Sequence, residues 1–443
     1  MDKNKIIFIV FFVYFIVAML MHSTLITIEQ AIYTYALDKS KSSILLVIEY
    51  IAVILAAFLM SELIRTISYR KLLVPCLIFI LSLGIIIPFS NHFLFPQLLF
   101  LGTGVIFVIA RTVGYMLIRE VAKQDKVFAS LLNRFEAMFV LAFIISWAIA
   151  GGFANTRFSW TYLFWVIGGL SLLALGLIFT TDFKKKEEVR ELHLEEKKSL
   201  WHDVFLHLFS RLYHLIFSLF SKSKKGAWSF FEIFRYSMVL MLALNLAFLS
   251  MAQVHFMQWI PSLSKQYIAN LNADIYLVML AFAGLFFGRI FASFILHIFN
   301  VFYVLIGSMA LCIVCIFMTS YYANVNSEPI QISALSDLPS FFWAIPLLGF
   351  VWGPVMPTLS AIILSSVSKE KIPVITSLII AVIFIIEAIC TGVSAFIFES
   401  LSVNVAFLLG MLPMIMLLII TLLFINDIKN TENKNIEKIN PTI

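Results

Sequence analysis

Residues 181–235, TDFKKKEEVRELHLEEKKSLWHDVFLHLFSRLYHLIFSLFSKSKKGAWSFFEIFR, interrupt an otherwise almost continuous series of apolar segments. The interruption carries KKKEE at 184–188, EEKK at 195–198 and the basic cluster Lys222, Lys224 and Lys225. The chain on either side divides into six apolar runs. Each is close to the roughly 20 residues that a helix needs to cross a bilayer. The expected spans are 6–27, 43–64, 72–90, 97–118, 135–154 and 160–180, then 237–259, 274–296, 300–321, 340–364, 372–397 and 403–425. Backbone amides cannot stay unpaired in hydrocarbon, and the runs are too long and too unalternating for strands, so they are helices. The fold class is therefore an all-α polytopic membrane protein with 12 transmembrane helices in two six-helix bundles. The first bundle covers 1–180. A cytoplasmic loop follows over 181–236, then the second bundle over 237–425 and a cytoplasmic tail over 426–443, short, polar and expected to be disordered.

Composition agrees. Of the 443 residues, 62% are hydrophobic and 13% charged, with 45 Phe, whereas soluble domains sit near about 45–50% apolar and about 25% charged. The net charge of +6 reads as topology and lipid contact; no nucleic-acid partner is expected. With the N-terminus inside, most basic residues fall on inner segments, among them Arg65, Arg70, Lys71, Arg119, Lys123, Lys126 and Arg134. The outer loops offer Lys39, Lys41, Arg157 and Lys265. Both termini are then cytoplasmic, in a multi-pass protein of the inner (plasma) membrane. The apolar start reads as a retained first helix, since no small-residue cleavage site follows it. Within the loop, 200–220 places Asp203, His207, Arg211, His214 and Ser218 at helical spacing, which describes an interfacial amphipathic helix, with a thirteenth crossing as the competing reading. Cys76, Cys312, Cys315 and Cys390 all lie in apolar runs and read as small apolar residues. No nucleotide loop, metal-ligand spacing or nucleophile elbow is present, so neither cofactor nor metal nor enzyme chemistry is expected.

Ionisable residues at span depth are costly and usually face protein or water. They are His22, Glu49, Arg111, Glu136, His255, Arg289 and Glu387. The third, sixth, ninth and twelfth spans carry no charge in their interiors, as expected if every third helix is peripheral and the others enclose a polar route. His22, Arg111, Asn245, Gln253, His255, Gln258, Trp259 and Arg289 are the candidate substrate-binding residues. His22, Glu49, His255 and Glu387 are candidates for coupling by protonation. Arg111 and Arg289 can hold an anion or pair with Glu49 and Glu387. Glu136, in the first turn of its expected span, reads as interfacial. The two fourth spans match: one carries Gly102, Gly104 and Gly114, the other Pro346, Gly349, Gly353, Pro354 and Pro357. Gly349, Gly353, Pro354 and Pro357 are candidates for a gating helix break. Gly284 and Gly288 form a close-packing motif.

Five stretches carry a resemblance. They are SYRKL at 68–72, RFSWTY at 157–162, QWIPS at 258–262, GRIFASFIL at 288–296 and GPVMPT at 353–358. In order and spacing the chain resembles the major facilitator superfamily and, within it, the fucose/proton-symporter-like branch, especially TsgA-like proteins. That resemblance implies the major facilitator fold, a carrier mechanism, a small-molecule substrate and a monomer in the bilayer. The superfamily signature between the second and third spans is degraded to Glu62, Arg65, Arg70 and Lys71. Sugar symporters of this branch carry an Asp in the first span and a Glu in the fourth; those positions fall on His22 and Arg111. The sugar therefore does not carry over, and an anionic or zwitterionic solute is favoured.

The expected function is a secondary active transporter for a small polar solute, working by alternating access with coupling to protons. Two alternatives come from other classes. The long loop suggests a transporter-like membrane sensor or scaffold, and the Phe content suggests a lipid flippase.

Overall fold

The computed structural model describes residues 3–34, 39–89, 93–154, 160–181, 251, 273–325, 340–367, 371–400, 405, 408–423 and 425. Asn245, Gln253, His255, Gln258 and Trp259 of the expected seventh span lie outside the described residues, as do the interfacial helix and the tail.

Every element among the described residues is helical. The first bundle holds α1 (Lys3–Thr34), α2 (Lys39–Thr66), α3 (Tyr69–Ile86), α4 (Leu94–Val121), α5 (Asp125–Ala154) and α6 (Leu163–Phe179). The second holds α7 (Ala273–Ile298), α8 (Val301–Val325), α9 (Ala344–Trp352), α10 (Val355–Ser365), α11 (Ile372–Ser400) and α12 (Met411–Leu423). Among the described residues, eight helical stretches are long and apolar enough to cross a membrane.

The helices outrun the hydropathy pattern. The largest difference is at α5, which begins at Asp125, ten residues before the expected start. Residues 125–134 are polar enough to fail a hydropathy window, yet Ser130 and Asn133 are buried against the second bundle. The expected tenth span is one crossing in two pieces, α9 and α10, interrupted at Gly353–Pro354. Pro354 is the residue before the first turn of α10, where a missing N–H costs nothing.

Packing explains the sequence's small residues. α2 lies along α4, α3 along α6, and α1 against α4 and α5. A Cβ on Gly84 would collide with Phe164 O and the Cα of Gly168, so α3 and α6 meet backbone to backbone. The α7–α9 contact is closer still. Cβ atoms on Gly284, Gly288, Gly349 and Gly353 would enter the carbonyl oxygens of Pro346, Phe350, Ala281 and Leu285.

The two bundles touch along α5–α7, α5–α10, α2–α11 and α4–α11. The peripheral expectation fits the third and ninth spans, 44% and 33% buried, against 72% for the fourth and 83% for the tenth. The eighth span, α7, departs at 39%: it is buried on one stripe at Arg289 and Ser293 and exposed at Phe287, Phe291 and Phe294.

Candidate functional site

Glu136 is the centre of the buried polar structure. It lies on α5, 2% exposed, with Arg111 of α4 and Arg289 of α7 at 4% and 6%. Its carboxylate accepts from Arg111 Nε at 3.0 Å and from Tyr115 OH at 2.7 Å. Tyr14 OH of α1 approaches both oxygens, at 3.3 and 3.4 Å. Arg289 Nη1 stands 3.8 Å from Oε2 and donates to the backbone carbonyl of the same residue. Arg289 Nε donates to Gly353 O at 3.2 Å, the carbonyl at the α9–α10 break. Arg111 Nε also reaches Tyr115 OH at 3.3 Å, while Nη2 meets the Met356 sulfur at 3.1 Å. Three helices from both bundles, α1, α4 and α7, thus converge on one carboxylate of α5.

Local structure sets these positions. Arg111 and Tyr115 are one turn apart on α4, so both point the same way. The Arg111 guanidinium lies over the rings of Phe107 and Tyr115, 5.5 Å from each centroid, which supports a cation in a dry site. Tyr14 stacks on Phe135 with centroids 4.0 Å apart, fixing its hydroxyl. A Cβ on Gly114 would strike the Phe135 ring, so this glycine lets α5 approach α4.

The reading of Glu136 as interfacial is corrected: the ten added residues of α5 carry it to the middle of the site. Arg111 and Arg289 pair with Glu136, a partner that neither alternative read from the sequence, an anion or Glu49 and Glu387, had named. Tyr14, Tyr115 and Met356 had no place among the expected site residues. One signal was available: Ser130, Asn133 and Glu136 recur every three residues, one polar stripe on an otherwise apolar helix.

The other candidates sit elsewhere. His22 is buried on α1, its Nε2 3.2 Å from Phe139 O, with the ring edge-on to Phe139 and Phe143 at 4.5 and 5.0 Å. Glu49 of α2 is buried against Thr24 of α1. Glu387 lies on α11, half-buried. Gly353 and Pro354 fall between α9 and α10, and Gly349 and Gly353 pack against the α7 backbone.

A second polar seam joins the bundles toward the N-terminal end of α5. Ser130 Oγ donates to Ser293 O at 2.7 Å and lies 3.2 Å from His297 Nε2. Arg134 Nε donates to Ser293 Oγ at 3.1 Å, and Asn133 Nδ2 to Thr358 Oγ1 at 3.1 Å. Phe143 stacks on Phe282 at 3.7 Å further along. Replacing Ser293 by alanine removes one acceptor, about 1 kcal/mol. The expected outcome is a roughly five-fold shift toward separated bundles, measured by electron paramagnetic resonance distances between spin labels at these ends of α5 and α7.

The described helices thus form an all-helical, multi-pass pair of bundles with a buried charge cluster across its seam. The sequence profile of the Major Facilitator Superfamily matches residues 8–389, and the chain belongs to that superfamily, whose members are transporters and not enzymes. Comparison with curated proteins finds no match. Among solved structures the chain is similar to FucP, a Major Facilitator Superfamily transporter, in the outward conformation. Identity there is 13%, over 94% of this chain and 98% of that one, with a TM-score of 0.66. A variant of the E. coli fucose:proton symporter FucP matches at 15% identity, 96% and 99% coverage and a TM-score of 0.66. The proton:xylose symporter XylE matches at 13% identity, 94% and 95% coverage and a TM-score of 0.65. At these identities the likeness is one of fold.

Proposed function

We propose that the protein is a secondary active transporter that moves a small, polar, anionic solute across the inner membrane by alternating access. The observation that supports this reading is the Arg111–Glu136–Arg289 cluster. Within ion-pair distance the cluster holds two guanidinium groups and one carboxylate, and Glu387 of α11 also interacts electrostatically with Arg111. An uncompensated charge out of water costs several kcal/mol, roughly. A monoanionic solute offsets that cost. Arg111 Nη2 offers the place, since the Met356 thioether is a weak acceptor that a carboxylate or phosphate oxygen outcompetes. Tyr14, Tyr115 and the α9–α10 break at Gly353 line the same spot, and Arg289 ties the break to the cluster. His22, Gln253 and His255 belong to the wider proposed route, with Asn245, Gln258 and Trp259.

Alternating access asks the α5–α7 seam to open while the outer parts of the bundles close. The orientation, termini inside, is supported by the clustering of charge at one end. Lys5 Nζ donates to Thr180 O, Tyr69 OH to Glu120 Oε1, and the Arg70 guanidinium lies over Phe179. Those contacts gather Lys5, Arg70, Lys71, Arg119 and Lys123 at one end of the bundle, the pattern of a cytoplasmic face. The working unit in this reading is a monomer.

The test is a thermal-shift screen of purified protein against neutral sugars, organic acids, amino acids and nucleosides. Stabilisation by anionic or zwitterionic compounds is expected, and its loss in Arg111→Lys, which removes the planar fork. Stabilisation by neutral sugars alone, unchanged in Arg111→Lys, contradicts the reading.

A further inference from the structure

In the central cluster every ionisable group faces one of opposite charge; Glu49 does not fit that pattern. It is 3% exposed, and among the described residues the side chain bonded to it is Thr24, whose Oγ1 lies 3.2 Å from Oε2 and 3.5 Å from Oε1. The same Thr24 Oγ1 lies 2.6 Å from Met21 O. A carbonyl oxygen only accepts, so the hydroxyl proton must lie between Thr24 and Met21. A hydroxyl has one proton to give. What Thr24 turns to Glu49 is then a lone pair. An ionised carboxylate would face it with lone pairs of its own, in a site closed to water, which is a buried charge without compensation.

Among the described residues, the neighbouring elements supply no cation. On α1, His22 is turned to Phe139 O. On α4, the contact with Glu49 is Gly104, where a Cβ would press on the Glu49 carbonyl, and Arg111 is committed to Glu136. On α11, Phe384 packs edge-on against Tyr50, centroids 5.7 Å apart, and Glu387, one turn further, is acidic. Compare Glu136, which two guanidinium groups and two tyrosine hydroxyls surround.

We propose that Glu49 carries a proton in this conformer, donated to Thr24 and relayed to Met21 O, and that giving up this proton couples transport to a proton gradient. The coupling role rests on the transporter reading; the protonated carboxyl does not. Losing the proton leaves Glu49, Thr24 and Met21 O with one hydroxyl proton among them, so one of the two contacts of Thr24 sets lone pair against lone pair, and α1 and α2 shift or admit water there. Because α2 packs on α11 of the other bundle, that shift reaches the contact between bundles. A proton and a monoanion taken together also add no net charge.

Infrared spectroscopy of lipid-reconstituted protein in H2O and D2O tests this without knowledge of the solute. Wild type minus Glu49→Gln is expected to show a carboxylic-acid carbonyl band that moves on deuteration. Thr24→Val, which removes the acceptor and keeps the shape, is expected to displace that band. A difference spectrum showing carboxylate bands overturns the proposal, as does an acid band unmoved in Thr24→Val. The Thr24→Val arm stands alone if Glu49→Gln fails to fold. The coupling part is read separately, with a solute found by thermal shift. Glu49→Gln is expected to keep exchange of that solute and lose its response to an imposed pH gradient. Wild-type uptake that ignores the gradient overturns coupling and leaves the protonated carboxyl standing.

Discussion

Glu136→Leu is expected to destabilise the folded protein by about 3–5 kcal/mol, the cost of removing one partner from a buried ion pair. The leucine fills similar space, so the loss is electrostatic and not a cavity. Arg111 and Arg289 remain buried, and the hydroxyls of Tyr14 and Tyr115 lose their shared acceptor. Because Arg289 comes from the second bundle, the damage falls on the seam as well as on the first bundle. Glu136→Gln, which keeps an acceptor for Tyr115, should lose less. A double variant, Arg111→Met with Glu136→Leu, should regain part of the stability, since exchanging a whole buried pair for apolar groups is often neutral. Thermal unfolding in detergent across this double-mutant cycle checks the point. A Glu136→Leu protein as stable as wild type would mean that the cluster is solvated.

The second large effect belongs to the α7–α9 contact. Gly288→Leu is expected to cost at least about 3 kcal/mol, the upper end of overpacking. The obstacle is the Phe350 backbone, since the first added carbon already lands on that carbonyl oxygen, and backbone cannot rotate aside. Arg289 follows directly in sequence, so helices forced apart at Gly288 also pull a guanidinium from Glu136 and from Gly353 O. Gly307→Leu on α8 is the control, because nothing lies within 4 Å of a Cβ there. Yield of monodisperse protein and its unfolding temperature separate the two. Equal losses in both variants would remove the close-contact argument.

Hydropathy made the architecture legible, because lipid contact demands long apolar runs and these are a local property of the chain. Burial of Arg111 and Arg289 was legible for the converse reason: charge within such a run has to be sheltered. Their partner was not. Residues 125–134 of α5 look like a loop to a hydropathy window, since their polar groups are satisfied by α7 and α10 and not by neighbours in sequence. That shifted Glu136 to a helix end in the sequence reading. Pairing of Arg289 with a residue on another helix of the other bundle leaves no local trace. The glycines were visible, but what each one touches was not. Gly349 and Gly353 suggested a hinge, and their structural partners are the α7 backbone.

The most direct test of a carrier working through the Arg111–Glu136–Arg289 centre is counterflow in proteoliposomes. Vesicles are loaded with an unlabelled solute that stabilises the purified protein, and entry of the labelled solute is followed. Transient accumulation is predicted for wild type and its loss for Arg111→Lys. A wild-type protein that binds the solute yet gives no counterflow would contradict the account and favour a membrane sensor.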